Sequence, residues 1–172
     1  MLRNLSETLR SVRAASHYLN LNTTTPMKFQ RILVPVDFSE HSLAGVKTAA
    51  ALAKQLSGTL ILLHAFTPPL VVQDQAFPMS TIPNDPELPA LLKGNLIEMA
   101  RQHAPDVTTE CLVEIGYAWS TICDIADKTG VDMIVCSSHG YTGLKRMLLG
   151  STAEQIVRHS KCPVLVVKNF TE

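Results

Sequence analysis

The chain has 172 residues, 46% of them hydrophobic, with fifteen Lys and Arg balancing fifteen Asp and Glu for a formal net charge of zero. That is one domain's worth of chain, and the balance excludes a global electrostatic attraction to nucleic acid or to an anionic membrane, so neither is expected as a partner. Apolar runs such as Leu60–Leu63 fall far short of the roughly 20 residues of a membrane span, and Cys111, Cys123, Cys136 and Cys162 form no C-x-x-C pair. The cysteines therefore signal neither a zinc site nor a dithiol redox motif, and read as four buried thiols in the reducing cytoplasm.

Residues 1–26 differ in character from the rest. They hold Arg3, Arg10 and Arg13 against a single Glu7, with Ser6, Ser11 and Ser16, and Leu2, Leu5, Leu9 and Val12 share one helical face. This is the composition of an organelle-targeting segment, or of a disordered extension that buries nothing. Met27 stands where an internal start would yield a domain of residues 27–172.

From Phe29 the pattern alternates. Phe29–Val36 reads as a strand, Ser39–Leu56 as a helix with Leu43, Val46, Ala50 and Ala53 on one face, and Thr59–Phe66 as a strand. Asp37 and Glu40 have the spacing of an N-terminal capping box. Residues 67–89 are Pro-rich and read as a long loop or lid. Leu88, Leu91, Leu92, Leu96 and Met99 then keep helical spacing up to Pro105. Val107–Ile115 alternates like a strand with one largely wetted face, which suits a sheet edge. Ala118–Thr129 is the next helix, with Gly130 as its left-handed cap. Val131–Cys136 reads as a buried strand.

Residues 137–152 follow that strand and run into a helix over Ser151–Ser160, where Ser151 and Glu154 again match a capping box. Glycines 140, 143 and 150 would permit positive φ and a close approach to a ligand. A loop entering a helix start favours an anion, because the first backbone N–H groups lack intrahelical partners. The alternative reading is an ordinary glycine-rich turn. The last strand, Pro163–Val167, is continuously apolar, as in a strand buried on both faces, yet it ends the sheet opposite the third strand, and an apolar edge invites pairing with a second copy.

Five strands alternating with four helices imply right-handed crossovers and an open α/β fold, a five-stranded parallel sheet with helices on both faces. Ligands of such sheets sit beyond the carboxyl ends of the strands, where the strand order reverses. Adjacent first and fourth strands would bring Asp37 to face the glycine loop.

Across Lys28–Lys168 the chain resembles the universal stress protein family. The resemblance rests on Arg31–Glu40 (RILVPVDFSE), Leu62–Ala65 (LLHA), Gly130–Gly143 (GVDMIVCSSHGYTG), Leu148–Thr152 (LLGST) and Cys162–Val167 (CPVLVV). It implies a Rossmann-like fold of the adenine nucleotide alpha hydrolase type. The ATP-binding branch carries G-x2-G-x9-G-[S/T], which falls here on Ser137, Gly140, Gly150 and Ser151, so the first glycine is replaced by serine. By that resemblance Pro35 and Val36 lie beside adenine, Ala65 meets it through its backbone, and Asp37 approaches the ribose or a metal-bound phosphate. Cys136, Ser137, Ser138, His139, Gly140, Tyr141, Thr142 and Gly143 wrap the ribose and phosphates, and Gly150, Ser151 and Thr152 hold phosphates. The resemblance thus implies ATP, with Mg2+ or Mn2+ as its companion ion, and a homodimeric stress-response regulator with at most slow hydrolysis. His139 reads as a structural hydrogen-bond partner, because no second acid or base stands near it in sequence. A dimer that has lost its ligand and an adenylyl-transferring enzyme are the other readings; the enzyme's H-I-G-H and S-G-G-x-D-S motifs are absent.

Overall fold

A computed structural model describes residues 28–67, 86–138 and 149–168. The expectations for residues 1–26, for most of the Pro-rich loop and for His139, Gly140, Tyr141, Thr142 and Gly143 lie outside the described residues.

The elements alternate as β1 (Arg31–Pro35), α1 (Glu40–Leu56), β2 (Thr59–Phe66), α2 (Leu88–His103), β3 (Thr109–Ile115), α3 (Ala118–Thr129), β4 (Met133–Ser137), α4 (Ser151–His159) and β5 (Val164–Val167). All four strand pairings are parallel, in the order β3-β2-β1-β4-β5. The expected open α/β sheet is therefore present, with β1 beside β4 and β3 and β5 at the edges.

The central strands are buried on both faces because their alternate residues feed two separate cores. Ile32, Val34, Leu60, Leu62 and Val135 pack with Val46, Ala49 and Ala53 of α1 and Leu96 of α2. Leu33, Ile61, Leu63, Ile134 and Cys136 pack with Ile122, Ile125 and Ala126 of α3 and Ala153 and Ile156 of α4. At about 1.5–3 kcal/mol per buried aliphatic side chain, these two layers supply the main force holding the helices to the sheet.

Turns and clamps fix the register. Gly130 caps α3 at φ 60°, ψ 46°, as its sequence position predicts. After α1 it is Ser57 that takes the left-handed conformation, at φ 52°. Gly58 serves a different need: a Cβ there would lie 2.6 Å from the Gln30 carbonyl oxygen. At the opposite end of the sheet from the strand tips, the Asp132 carboxylate accepts from the backbone N–H of Gln30 and of Arg31, each at 2.9 Å, and pins the start of β1 to the start of β4.

Several expectations are corrected. In α2 only Leu96 is buried, and Leu91 is 62% exposed, because this helix covers the edge pair of strands and not the sheet centre. β3 lacks one simple wet face: Val113 packs toward one core and Leu112 toward the other, while Ile115 is exposed. β5 is not buried on both faces either; Val164 and Val166 are half-buried on the α3/α4 side and Leu165 is exposed. Of the four thiols, Cys111 and Cys136 are buried but Cys123 and Cys162 only half so.

Candidate functional site

The reversal of strand order between β1 and β4 opens a cleft at the carboxyl ends of the strands. The first side of the cleft is the turn from β1 into α1. Val36 is held at both backbone groups: its N–H donates to the Leu63 carbonyl at 2.8 Å, and its carbonyl accepts from His64 Nδ1 at 2.7 Å. That contact requires the proton on Nδ1. The His64 ring lies on the far side of the sheet from the cleft, with its centroid 4.7 Å from that of Phe38.

Phe38 adopts φ 61°, which costs a non-glycine residue roughly 1–2 kcal/mol. Packing of its ring on His64 and on the α1-side core offsets that strain. The kink changes the helix cap. The expected Asp37/Glu40 capping box is not formed; Ser39 is the N-cap and its hydroxyl accepts from the Ser42 N–H at 3.2 Å. Asp37 instead accepts from the Ser39 N–H at 3.0 Å and from the Ser39 hydroxyl, which leaves its exposed carboxylate at the cleft mouth.

The second side is β2. Leu60 N–H and Phe66 C=O bond toward β3, whereas Leu63 C=O bonds toward β1. By alternation Ala65 turns its N–H and C=O toward the β1 side, two residues past the last β1 pairing at Pro35 and Leu63. Its backbone is therefore aimed at the cleft.

The third side is β4 with α4. The chain leaves and re-enters at one point: Ser138 N–H donates to Val167 C=O at 2.8 Å, and Gly150 N–H donates to Ser138 C=O at 2.7 Å. Gly150 is the N-cap of α4 in an extended conformation, φ −69° and ψ 152°, so the expected positive φ and the expected Ser151/Glu154 capping box are both corrected. Gly150 has no side chain with which to cap this helix, whose first intrahelical bond runs from Glu154 N–H to Gly150 C=O. The N–H groups of Ser151, Thr152 and Ala153 precede that bond, and they are the donors that favour an anion. Ser137, where the resemblance has glycine, is the last residue of β4, paired with Val167, and is not among the positive-φ residues. Serine thus enters here without backbone strain.

These pieces enclose a cavity of about 290 Å³. It is lined by Pro35, Val36, Asp37, Ala65, Cys136, Ser137, Ser138, Gly150, Ser151 and Thr152, which are all the sequence-predicted site residues that the structure describes. Sequence reasoning missed Ser42, Leu63, Ala118, Ile122, Ala153 and Ile156. Helical and strand spacing marks most of these as core, and gives no sign that they stand at the open end of the sheet. The cavity therefore has an apolar wall of Val36, Leu63, Ala118, Ile122 and Ile156 facing a polar rim of hydroxyls, one carboxylate and the start of α4. Among the described residues no group of three or more His, Cys, Asp or Glu is placed to hold a metal ion. Asp37 alone fits a hydrated divalent ion carried by a ligand's phosphates.

Burial pushes the Cys136 thiol up to about 11. An acid with a raised folded pKa keeps its proton in the native state while the unfolded chain loses it, so stability falls with rising pH from the ordinary thiol value of 9 toward 11. Denaturant titrations across that range should show a loss approaching roughly 2–3 kcal/mol from this group, and Cys136→Ala should flatten the slope.

Residues 28–168 match the model of the universal stress protein family. The chain is 30% identical over 154 residues to universal stress protein MJ0577 of Methanocaldococcus jannaschii, covering 81% of this chain and 95% of that one. The solved structure of MJ0577 aligns with TM-score 0.71 at 28% identity, covering 84% of this chain and 99% of that chain. Universal stress protein YxiE of Bacillus subtilis is 30% identical over 147 residues, covering 81% and 99%. A universal stress protein solved in complex with cAMP shares the fold with TM-score 0.60 at 24% identity, covering 82% and 98%.

Proposed function

Because the chain belongs to the universal stress protein family, we propose that its cavity binds ATP and that occupancy sets the state of a homodimeric, cytoplasmic stress-response regulator. The observation that carries this reading is the pairing, in one cavity, of an apolar slot beside the Ala65 backbone with the uncapped start of α4. The slot suits a purine ring, whose edge the Ala65 N–H and C=O would read. The first turn of α4 and the hydroxyls of Ser137, Ser151 and Thr152 suit phosphates. Asp37 would meet the ribose or a phosphate-bound Mg2+ or Mn2+. By the family resemblance His139, Gly140, Tyr141, Thr142 and Gly143 would wrap the ribose and phosphates. The domain is assigned to residues 27–172, with residues 1–26 as an extension outside it.

In this reading the protein binds ATP and any hydrolysis is slow. The cAMP-bound family member supports adenine nucleotides as the ligand class for this fold. At about 100 times its dissociation constant, ATP would add roughly 2.7 kcal/mol to stability.

The test is to denature freshly purified protein, without added nucleotide, and to identify what it releases by chromatography and mass spectrometry. Stoichiometric ATP is the expected result. ADP or AMP would replace the binding reading by one of turnover. Nothing released, with no thermal shift on adding Mg-ATP, would overturn it in favour of a dimer without ligand.

A further inference from the structure

We infer that Cys123 and Cys162 form a disulfide under oxidation, clipping α3 to the segment that joins α4 to β5. The pair stands on the α3/α4 side of the sheet. Trp119, Cys123 and Asp127 follow one another at four-residue spacing along α3 and so share a stripe of that helix. Both ends of the stripe touch the same short segment. The Trp119 and His159 rings lie 4.8 Å apart, and Lys161 Nζ donates to Asp127 Oδ2 at 2.5 Å. Cys123 sits between these two contacts, and Cys162 adjoins the second.

Cys162 also packs on the core that contains Ile122, Ile125 and Ala126, the buried flank of the same helix. Cys123 and Cys162 are half-buried, whereas Cys111 and Cys136 are enclosed in the sheet. The loop that carries Cys162 is held in place: Ser160 Oγ donates to the Cys162 carbonyl at 2.9 Å and accepts from the Cys162 N–H at 3.2 Å.

The chemistry needs a peroxide. Burial, with the carboxylates of Asp127 and Asp124 next, pushes the Cys123 thiol up, which makes it the poorer first nucleophile. In the proposed order, Cys162 as thiolate attacks the peroxide oxygen, becoming a sulfenic acid and releasing water after protonation. Cys123 then attacks the Cys162 sulfur, the S–O bond breaks, and a second water leaves. Two thiols are oxidised and one peroxide is reduced to two waters. Because α3 contributes Ala118 and Ile122 to the cavity wall and α4 contributes its first turn, the bond would fix the spacing of the helices that frame the site.

The full chain would be treated with hydrogen peroxide, alkylated, digested and mapped by mass spectrometry, with fragmentation to separate Cys123 from Cys111, which shares its tryptic peptide. The expected product is an intramolecular Cys123–Cys162 link lacking two hydrogen atoms, together with a melting temperature that rises and is returned by a thiol reductant. In Cys123→Ser, Cys162 should persist as a sulfenic acid that dimedone traps. Sulfinic acid at Cys162 without a link, a link between two copies, or no oxidation of either residue by peroxide or by diamide would overturn the inference.

Discussion

Thr152→Glu should abolish most ATP binding while leaving the fold as stable as before or slightly more so. Thr152 is an exposed residue in the first turn of α4 and lines the cavity. A carboxylate so close to a helix N-terminus interacts favourably with the unpaired N–H groups, by about 0.3–1 kcal/mol. The same carboxylate competes for the donors proposed to hold phosphate. At an effective dielectric constant of about 20, two unit charges about 5 Å apart repel by roughly 3 kcal/mol, and salt reduces this only in part in a half-enclosed cleft. The affinity for Mg-ATP, measured by calorimetry, should fall by roughly 100-fold or more. Thr152→Gln, of the same size but uncharged, should lose far less. An unchanged dissociation constant for the glutamate variant would remove α4 from the binding site, whatever the protein binds elsewhere.

The paired signs of that prediction depend on a feature that the sequence states ambiguously. Ser151 and Glu154 have capping-box spacing, and a serine N-cap would have consumed a donor that the ligand needs. In the structure the helix starts one residue earlier in role, with Gly150 as N-cap, which has no side chain to place on the donors. A similar shift occurs at α1, where Phe38 at positive φ moves the cap from Asp37 to Ser39. Capping motifs are patterns of residue types, and at α1 the backbone angle of Phe38 decides which of the two nearby candidates reaches the amide.

Strand order, by contrast, was legible. The apolar runs of β1, β2 and β4 are long enough to be buried on both faces, and the largely alternating β3 belongs at an edge, which is where it lies. What periodicity could not show is depth along the sheet normal and height along the strands. Leu91 keeps core spacing yet is 62% exposed, because its helix covers the edge pair of strands. Ala118 and Ile122 keep core spacing and stand instead at the open end, as the wall of the cavity. The site residues that sequence did identify come from strand ends and glycine turns, where residue type is tied to backbone geometry. Those it missed are, Ser42 apart, ordinary aliphatic side chains whose role comes only from position.

The edge at β5 carries the other large expected effect. Ile134 of β4 and Ser138, just past its end, donate to the carbonyls of Pro163 and Val167. Alternation therefore turns the N–H and C=O of Val164 and Val166 outward, away from β4, as a ladder with no strand partner among the described residues that a second β5 could complete. The proposed dimer uses these groups, with Leu165 exposed beside them. A charge at Val166 would be an ambiguous probe, because its side chain packs against the α3-side core. Val166→Pro is cleaner. It deletes the outward donor, and the bonds from β4 reach β5 through its other residues. In a two-fold dimer the deletion occurs in both copies, leaving two carbonyls without donors. At about 1–3 kcal/mol each, this weakens association by roughly 2–6 kcal/mol, or from about 30-fold to more than 10,000-fold. Light scattering at micromolar concentration should then give half the wild-type mass, while circular dichroism retains the α/β signature. A variant that stays dimeric with its fold intact would place the interface elsewhere on the molecule.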